Sequence, residues 1–412
     1  MTETIDRMPE PERVYPSYDD LSAAVERHMI PAKLRFYEGL GMSFVLGRRS
    51  GIYFEDAYTG KRLINCHCNG GVFNLGHNHP RVVEALRRRL GQLDVGNHHL
   101  ASEWRARLAE RLAATTGGAL PRVVFGVSGG EVADLAIKVA RGRTGRCKIV
   151  SILGGYHGHT GLALATGDAT YREPFGPNLP GFVQVPFNDL EAMEEAVDGD
   201  TAAVIVEAIP ATLGMPIPEP GYFAGLRRLC SERGAMLIVD EIQTGLGRTG
   251  KIWSYQHEGI VPDAVLTGKG LSGGVYPITA ALMTDDMHRV LADHPFVHFS
   301  TFGGAELGCV AALEVLDIIE EPGFLERVVD LSERFARELD GLAFTLRRRG
   351  LFMGMKFASD ADAIGAFVRL VEAGVFVFPA GNDRSVLQLL PPLVLTDAEA
   401  SELIGRIRRV FE

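Results

Sequence analysis

Residues Met236 to Gly274 read MLIVDEIQTGLGRTGKIWSYQHEGIVPDAVLTGKGLSGG, and two short apolar runs within them decide the fold. The first, Met236 to Val239, stops at two acids, Asp240 and Glu241. The second, Ala264 to Leu266, runs into Thr267-Gly268 and delivers one lysine, Lys269. Apolar runs this short, bounded by Gly and Pro signals, read as buried strands of a parallel sheet. Ligands of open α/β sheets sit beyond the carboxyl ends of the strands. A carboxylate and an amine leaving two such ends therefore mark a candidate reaction centre, with an ion pair at a sheet edge as the plainer alternative.

The same pattern recurs upstream. Arg122 to Val127 reads as a strand, followed at once by Ser128-Gly129-Gly130-Glu131 and by helical spacing from Val132 to Arg141. A strand, a Gly-Gly turn and a helix bring free backbone N–H groups and the positive helix end onto one anion. Lys148 to Leu153 ends in Gly154-Gly155-Tyr156-His157-Gly158-His159, where an aromatic among glycines can lie flat on a planar ligand. Ala202 to Val206 stops at Glu207, Gly221 to Arg233 is helical, and Pro277 to Met283 continues the sheet.

The flanks read differently. Residues 1 to about 30 are polar and carry Pro9, Pro11 and Pro16, which predicts a loose arm and then a short helix. Met42 to Ile64 alternates as a β-meander, and a glycine-rich loop from Gly70 to Pro80 leads into a helix from about Arg81 to Leu93. Phe299-Ser300-Thr301-Phe302-Gly303-Gly304 opens a long helix from about Glu306 to Ile319. Past Glu321-Pro322-Gly323 come helices over about 324–340 and 397–411, with strands near 350–357 and 375–379. The expected division is an arm and part of a small domain (1–74), a large domain (75–305), and a connecting helix with the C-terminal small domain (306–412). The small α+β domain is thus built from both chain ends, beside a large α/β domain with a mainly parallel central sheet.

Of the 412 residues, 42 are Lys or Arg and 52 are Asp or Glu, a net charge of −10. With no long basic face, nucleic acid is not an expected partner. Arg87-Arg88-Arg89 and Arg347-Arg348-Arg349 read as solvated helix or loop faces. Five scattered cysteines fit reduced thiols in the cytoplasm. Cys66-His67-Cys68 has no second Cys or His pair at zinc-site spacing, so no metal is expected. No apolar run approaches the ~18 residues of a membrane span.

The strand ends together offer Ser128-Gly129-Gly130, Tyr156-His157, Glu207, Asp240-x-x-Gln243 and Lys269 on one side of one inferred sheet. That set suits a planar, phosphorylated, nitrogen-containing ring held covalently by a lysine. Lysine forms Schiff bases with aldehydes, and an aspartate against a pyridine nitrogen keeps it protonated so that the ring draws electrons from a substrate carbanion. Pyridoxal 5′-phosphate (PLP) meets each requirement.

From about residue 40 to 405 the chain resembles the class III aminotransferases, the fold-type I PLP enzymes that include the ornithine, acetylornithine and GABA aminotransferases. The resemblance is carried by Leu237 to Gly250 (LIVDEIQTGLGRTG), Thr267-Gly268-Lys269-Gly270, Phe299 to Gly304 (FSTFGG) and Pro391-Pro392-Leu393-Val394. It implies that Lys269 is the Schiff-base lysine and the base of the 1,3-proton shift, that Asp240 pairs with the pyridinium nitrogen, and that Gln243 lies near the ring hydroxyl. It implies further that Tyr156 and Ile242 pack on opposite ring faces, that Glu207 holds the network beside the ring with His157 nearby, and that the backbone N–H groups of Ser128, Gly129 and Gly130 bind phosphate. Ser300 and Thr301 would complete the phosphate cup across a homodimer interface.

Three departures bear on function. Gly130 stands where the family commonly has Thr, which removes one hydroxyl from the phosphate loop. Thr212 stands where ornithine-type enzymes carry a glutamate that masks the substrate-binding arginine. Gln388 stands where that arginine lies. An amide cannot replace a bidentate guanidinium, so the usual α-carboxylate clamp is absent unless Arg384 swings in. Gly70 leaves room where some relatives place a tyrosine. The expected activity is ping-pong transfer of an amino group between an amine or ω-amino compound and a keto acid. A PLP-dependent aminomutase or epimerase of the same fold is the alternative, and a PLP-binding protein without turnover the third.

Overall fold

The computed structural model describes residues 11–412; Pro9 and the start of the expected arm lie outside the described residues. Two helices follow, Tyr18–His28 and Pro31–Gly39, where a single short one is predicted, because Pro31 at the first helical position starts a second. The alternating stretch forms the antiparallel strands β1 (Leu46–Ser50), β2 (Tyr53–Asp56) and β3 (Arg62–Asn65).

Seven strands make the central sheet: β4 (Arg122–Gly126), β5 (Lys148–Ile152), β6 (Phe182–Val185), β7 (Thr201–Glu207), β8 (Met236–Asp240), β9 (Ala264–Thr267) and β10 (Thr279–Met283). Their order is β4-β10-β9-β8-β7-β5-β6. Every residue of β7, β8 and β9 is buried, as helix-covered parallel strands must be on both faces. Only β10 runs against its neighbours β9 and β4. The chain between β9 and β10 carries only a short 3₁₀ turn and no crossover helix, so it returns antiparallel. In the β7–β8 register Glu207 lies opposite Asp240, and both acids leave the sheet at one level.

Beyond the helix Glu306–Ile319 come β11 (Thr345–Arg349), β12 (Phe352–Lys356), β13 (Val375–Phe376), β14 (Phe378–Pro379) and β15 (Val386–Leu389). Strand β13 pairs in parallel with β3, and the others form a second four-stranded sheet. Ile52, Leu63 and Ile64 from one chain end share a core with Phe335, Phe367 and Leu403 from the other. Arg347, Arg348 and Arg349 are not a solvated helix or loop face: they lie on β11, where Arg348 pairs with Glu333 at 2.9 Å, Arg349 with Glu258 at 2.5 Å, and Arg347 donates to the Gly214 carbonyl at 2.5 Å. Among the described residues no helix is long and apolar enough to cross a membrane.

One buried cation ties these parts together. Arg248, fully buried, donates to the carbonyls of Pro391 (2.5 Å) and Leu351 (3.2 Å) and to Asn74 Oδ1 (2.6 Å). Desolvation pushes its pKa down to about 10. Arg248→Ala strands three acceptors beside a cavity, so denaturant unfolding should show a loss of at least about 3 kcal/mol, and Arg248→Lys should recover only part of it. A loss below about 1 kcal/mol would mean that these groups find other partners.

Candidate active site

The carboxyl ends of β5, β7, β8 and β9 and the turn after β4 open onto one cavity of about 660 Å³. Its wall includes Ser128, Gly129, Gly130, Tyr156, His157, Glu207, Asp240, Ile242, Gln243 and Lys269, all expected from the sequence at the cofactor. Asp240 and Lys269 do not pair with each other; each has its own partner.

Lys269 follows β9 with φ of +46°, a left-handed conformation that is costly for a long side chain and persists only where the surroundings impose it. The next residue shows the constraint: a Cβ on Gly270 would lie 2.5 Å from Asn74 Nδ2. The Lys269 amine donates to Gln243 Oε1 at 2.8 Å. Desolvation pushes its pKa down, opposed by the charges of Asp240 and Glu207. A lysine of that kind is a better nucleophile near neutral pH than one on the surface.

Asp240 accepts from Ile242 N through Oδ1 (3.0 Å) and meets His157 Nδ1 through Oδ2 at 2.8 Å. Burial alone would push the His157 pKa down, but the bond to Asp240 and the charges of Asp240 and Glu207 hold it up. His157 therefore orients the aspartate and balances its charge. Glu207 accepts from the backbone N–H groups of Tyr156 (2.9 Å) and Ala211 (3.1 Å), fixing the loop that carries Tyr156. Burial pushes Glu207 up to about 7.

Cys68, Asn69, Gly70 and Gly71 all have positive φ, 52°, 52°, 67° and 91°. This left-handed run presses the chain onto the lysine, and a Cβ on Gly70 would lie 3.2 Å from the Lys269 amine. Gln388 is buried and accepts from Gln243 Nε2 at 3.2 Å, so Lys269, Gln243 and Gln388 form one hydrogen-bonded chain. Thr212 stands apart, its hydroxyl donating to the Gly154 carbonyl at 2.9 Å. Arg384 is exposed and close enough to Tyr171 for its charge to act on that phenol. Ser300 and Thr301 lie outside the cavity wall. Thr301 is exposed beside Phe299 and Phe302, which are 52% and 58% exposed.

Two residues at the site were not singled out from the sequence. Thr160 lines the cavity beside the Gly129–Gly130 turn. His67, its ring tilted 38° against Phe378 at 5.1 Å, is close enough to Lys269 to feel its charge, and burial pushes its pKa down to about 3. The Cys66-His67-Cys68 pattern drew attention only as a metal motif; both thiols are in fact fully buried, with Cys68 Sγ on the Asn65 carbonyl at 3.3 Å. No spacing in the sequence marks either residue.

The cavity fits PLP on its own geometry. A Gly-Gly turn at a helix start offers an anion backbone N–H donors, an oriented carboxylate offers a cationic ring nitrogen its counter-charge, and an amine without a carboxylate partner is available to an aldehyde. Comparison with known proteins agrees. The profile of the family described as Aminotransferase class-III matches residues 38–411, and the chain belongs to that family. It is accordingly a PLP-dependent aminotransferase. It is similar to an uncharacterized aminotransferase from Archaeoglobus fulgidus, 49% identical over 399 residues that make up 95% of this chain and 94% of that protein. The ornithine aminotransferase of Toxoplasma gondii superposes with a TM-score of 0.87 at 30% identity, covering 97% of this chain and 96% of that one. The acetylornithine aminotransferase of Elizabethkingia anophelis gives 0.80 at 26% identity, covering 96% and 99%.

A second buried acid at the end of β8 gives a pH prediction. Glu241 accepts from Thr244 Oγ1 (2.5 Å) and Tyr255 N (2.7 Å), and burial pushes it from 4.5 up to about 7. A carboxyl whose pKa is raised on folding binds its proton more tightly in the folded state. Its stabilising effect is full below the unfolded value and is lost as pH rises through the folded one. Glu241→Gln removes this linkage, so the melting temperature of the wild type minus that of the variant should fall as pH rises from 4.5 to about 7. A flat difference would mean that Glu241 is charged throughout.

Proposed function

We propose that this aminotransferase takes its amino group from an amine or ω-amino compound and passes it to a keto acid, working by a ping-pong cycle as a cytoplasmic homodimer. The observation that carries the site assignment is Lys269, desolvated, left-handed and, among the described residues, bonded only to a neutral amide, in the same cavity as the Asp240–His157 pair and the Ser128–Gly130 turn. PLP, when bound, supplies an electron-poor ring that stabilises negative charge on the substrate carbon. Asp240, held by His157 and Ile242 N, keeps a proton on the ring nitrogen. The amine of Lys269 anchors the cofactor and then takes and returns the proton at the substrate carbon. Gln243 positions that amine, Tyr156 and Ile242 would hold the ring between them, and Glu207 fixes the backbone of Tyr156. The Ser128-Gly129-Gly130 turn, with the N–H groups of its glycines, would hold the phosphate.

Donor choice follows from what faces the lysine. The clamp position carries Gln388, a neutral amide tied to Gln243, and the Thr212 hydroxyl is committed to the Gly154 carbonyl. Arg384 is exposed, and burial keeps His67 neutral at physiological pH. A donor α-carboxylate would meet no fixed guanidinium there, whereas a neutral or hydroxylated group would meet hydrogen-bonding amides. The dimer reading rests on the exposed Phe296, Val297, Phe299 and Phe302 around Thr301, an apolar surface that a second copy of the chain would cover. Ser300 and Thr301 would then reach the partner's phosphate cup. The large domain is taken as 75–305, flanked by the small-domain segments 1–74 and 306–412.

Two measurements test this. Holoenzyme screened with α-amino acids, ω-amino acids, diamines and amino sugars should take the amino group from the amines and ω-amino compounds once per site without acceptor, and repeatedly only when a keto acid is present. A response confined to ordinary α-amino acids would refute the donor class, and turnover of one substrate without acceptor would favour the aminomutase reading. Phe299→Glu with Phe302→Glu should convert a dimer into a monomer in sedimentation and weaken PLP retention together. An unchanged sedimentation coefficient would remove the interface.

A further inference from the structure

Residue 130 has no hydroxyl where the family commonly carries one, yet the space beside it is filled. A Cβ built on Gly130 would lie 2.5 Å from Thr160 Oγ1, 3.2 Å from its Cγ2 and 3.4 Å from its Cβ. The Thr160 side chain therefore occupies the volume where a side chain on residue 130 would begin. Gly158 permits the approach: at φ of +120° its own Cβ would lie 2.5 Å from Gly130 Cα, so only glycine lets residues 157–160 rest on the turn.

Three hydroxyls surround this turn, and two are committed. Ser128 Oγ accepts from Glu131 N at 3.3 Å as the cap of the helix Gly129–Thr144, and Thr279 Oγ1 donates to the Ser128 carbonyl at 3.2 Å. Thr160 precedes the helix Gly161–Thr166, yet its side chain does not cap it. Its hydroxyl has no hydrogen-bond partner among the described residues and faces the cavity that the Gly129 and Gly130 backbones line.

We infer that Thr160 supplies the side-chain hydroxyl to the cofactor phosphate, in place of the residue at position 130. Gly130 leaves room for the Thr160 side chain and Gly158 lets its loop approach the turn, so the three residues act as one unit. The inference rests on the cofactor placement proposed above. Thr160 is a binding residue for the phosphate and takes no part in proton transfer.

The test is cofactor affinity rather than activity. Apoprotein is titrated with PLP and separately with pyridoxal, which has the same ring and aldehyde but no phosphate. Thr160→Val should raise the PLP dissociation constant about tenfold, the loss expected for one charge-assisted hydrogen bond, and leave pyridoxal binding unchanged. Thr160→Ser should stay within about threefold of the wild type for PLP, and adding Gly130→Thr to Thr160→Gly should restore most of the affinity that Thr160→Gly alone loses. A Thr160→Val variant that binds PLP within about twofold of the wild type would overturn the inference, as would equal weakening of PLP and pyridoxal, the mark of a merely structural role. The wild-type titration separates the two levels: wild type that binds pyridoxal but gains nothing from the phosphate would sink the phosphate placement itself, whatever the variants do.

Discussion

Lys269 holds a backbone conformation that side chains of its kind avoid, and the active site depends on what keeps it there. A left-handed non-glycine residue costs of order 1–3 kcal/mol. The surroundings that impose it come from distant parts of the chain: Asn74 against Gly270, the left-handed run ending at Gly71, and Gln243 on the amine. Arg248 in turn holds Asn74 and the segment at Pro391, so the glycine-rich loop, the central sheet and the C-terminal unit meet around one turn. Strain at the lysine is thus offset by packing elsewhere, and the amine is presented at one place.

The same desolvation that sets the lysine also sets its neighbours. Glu207 is pushed up to about 7 while His157, equally buried, is held up by Asp240. Carboxylates and amines in so dry a site are strongly coupled, and a bound cationic ring would relieve Asp240 and Glu207 together. The groups around the lysine amine are different in kind: Gln388 joins it through Gln243, Gly70 lies against it, and His67, pushed down to about 3 by burial, is close enough to feel its charge.

Much of this was legible from residues alone, for identifiable reasons. Buried parallel strands are short apolar runs, so the ends of β7, β8 and β9 could be read, and with them Glu207, Asp240 and Lys269. The helices Glu306–Ile319 and Asp397–Phe411 were read at their observed limits because glycine and a Thr cap mark them. Short strands carry weaker patterns, whether at a sheet edge (β6, β11) or inside a sheet (β15): all three were missed, as was the helix Asp360–Glu372, and the three arginines of β11 were taken for a solvated surface. Gly130 was read as a lost hydroxyl because sequence shows what a position lacks and not what another loop puts there. His67 was passed over because its importance lies in the fold of the left-handed turn, which no spacing announces.

The central claim is that one amine, that of Lys269, holds the cofactor at the end of β9. It is tested most directly by reducing the holoenzyme with borohydride, digesting it and mapping the pyridoxyl group by mass spectrometry. The account predicts the label on Lys269 alone. A label on Lys251, Lys33 or any other lysine, or none on protein that retains PLP and turns over, would contradict it.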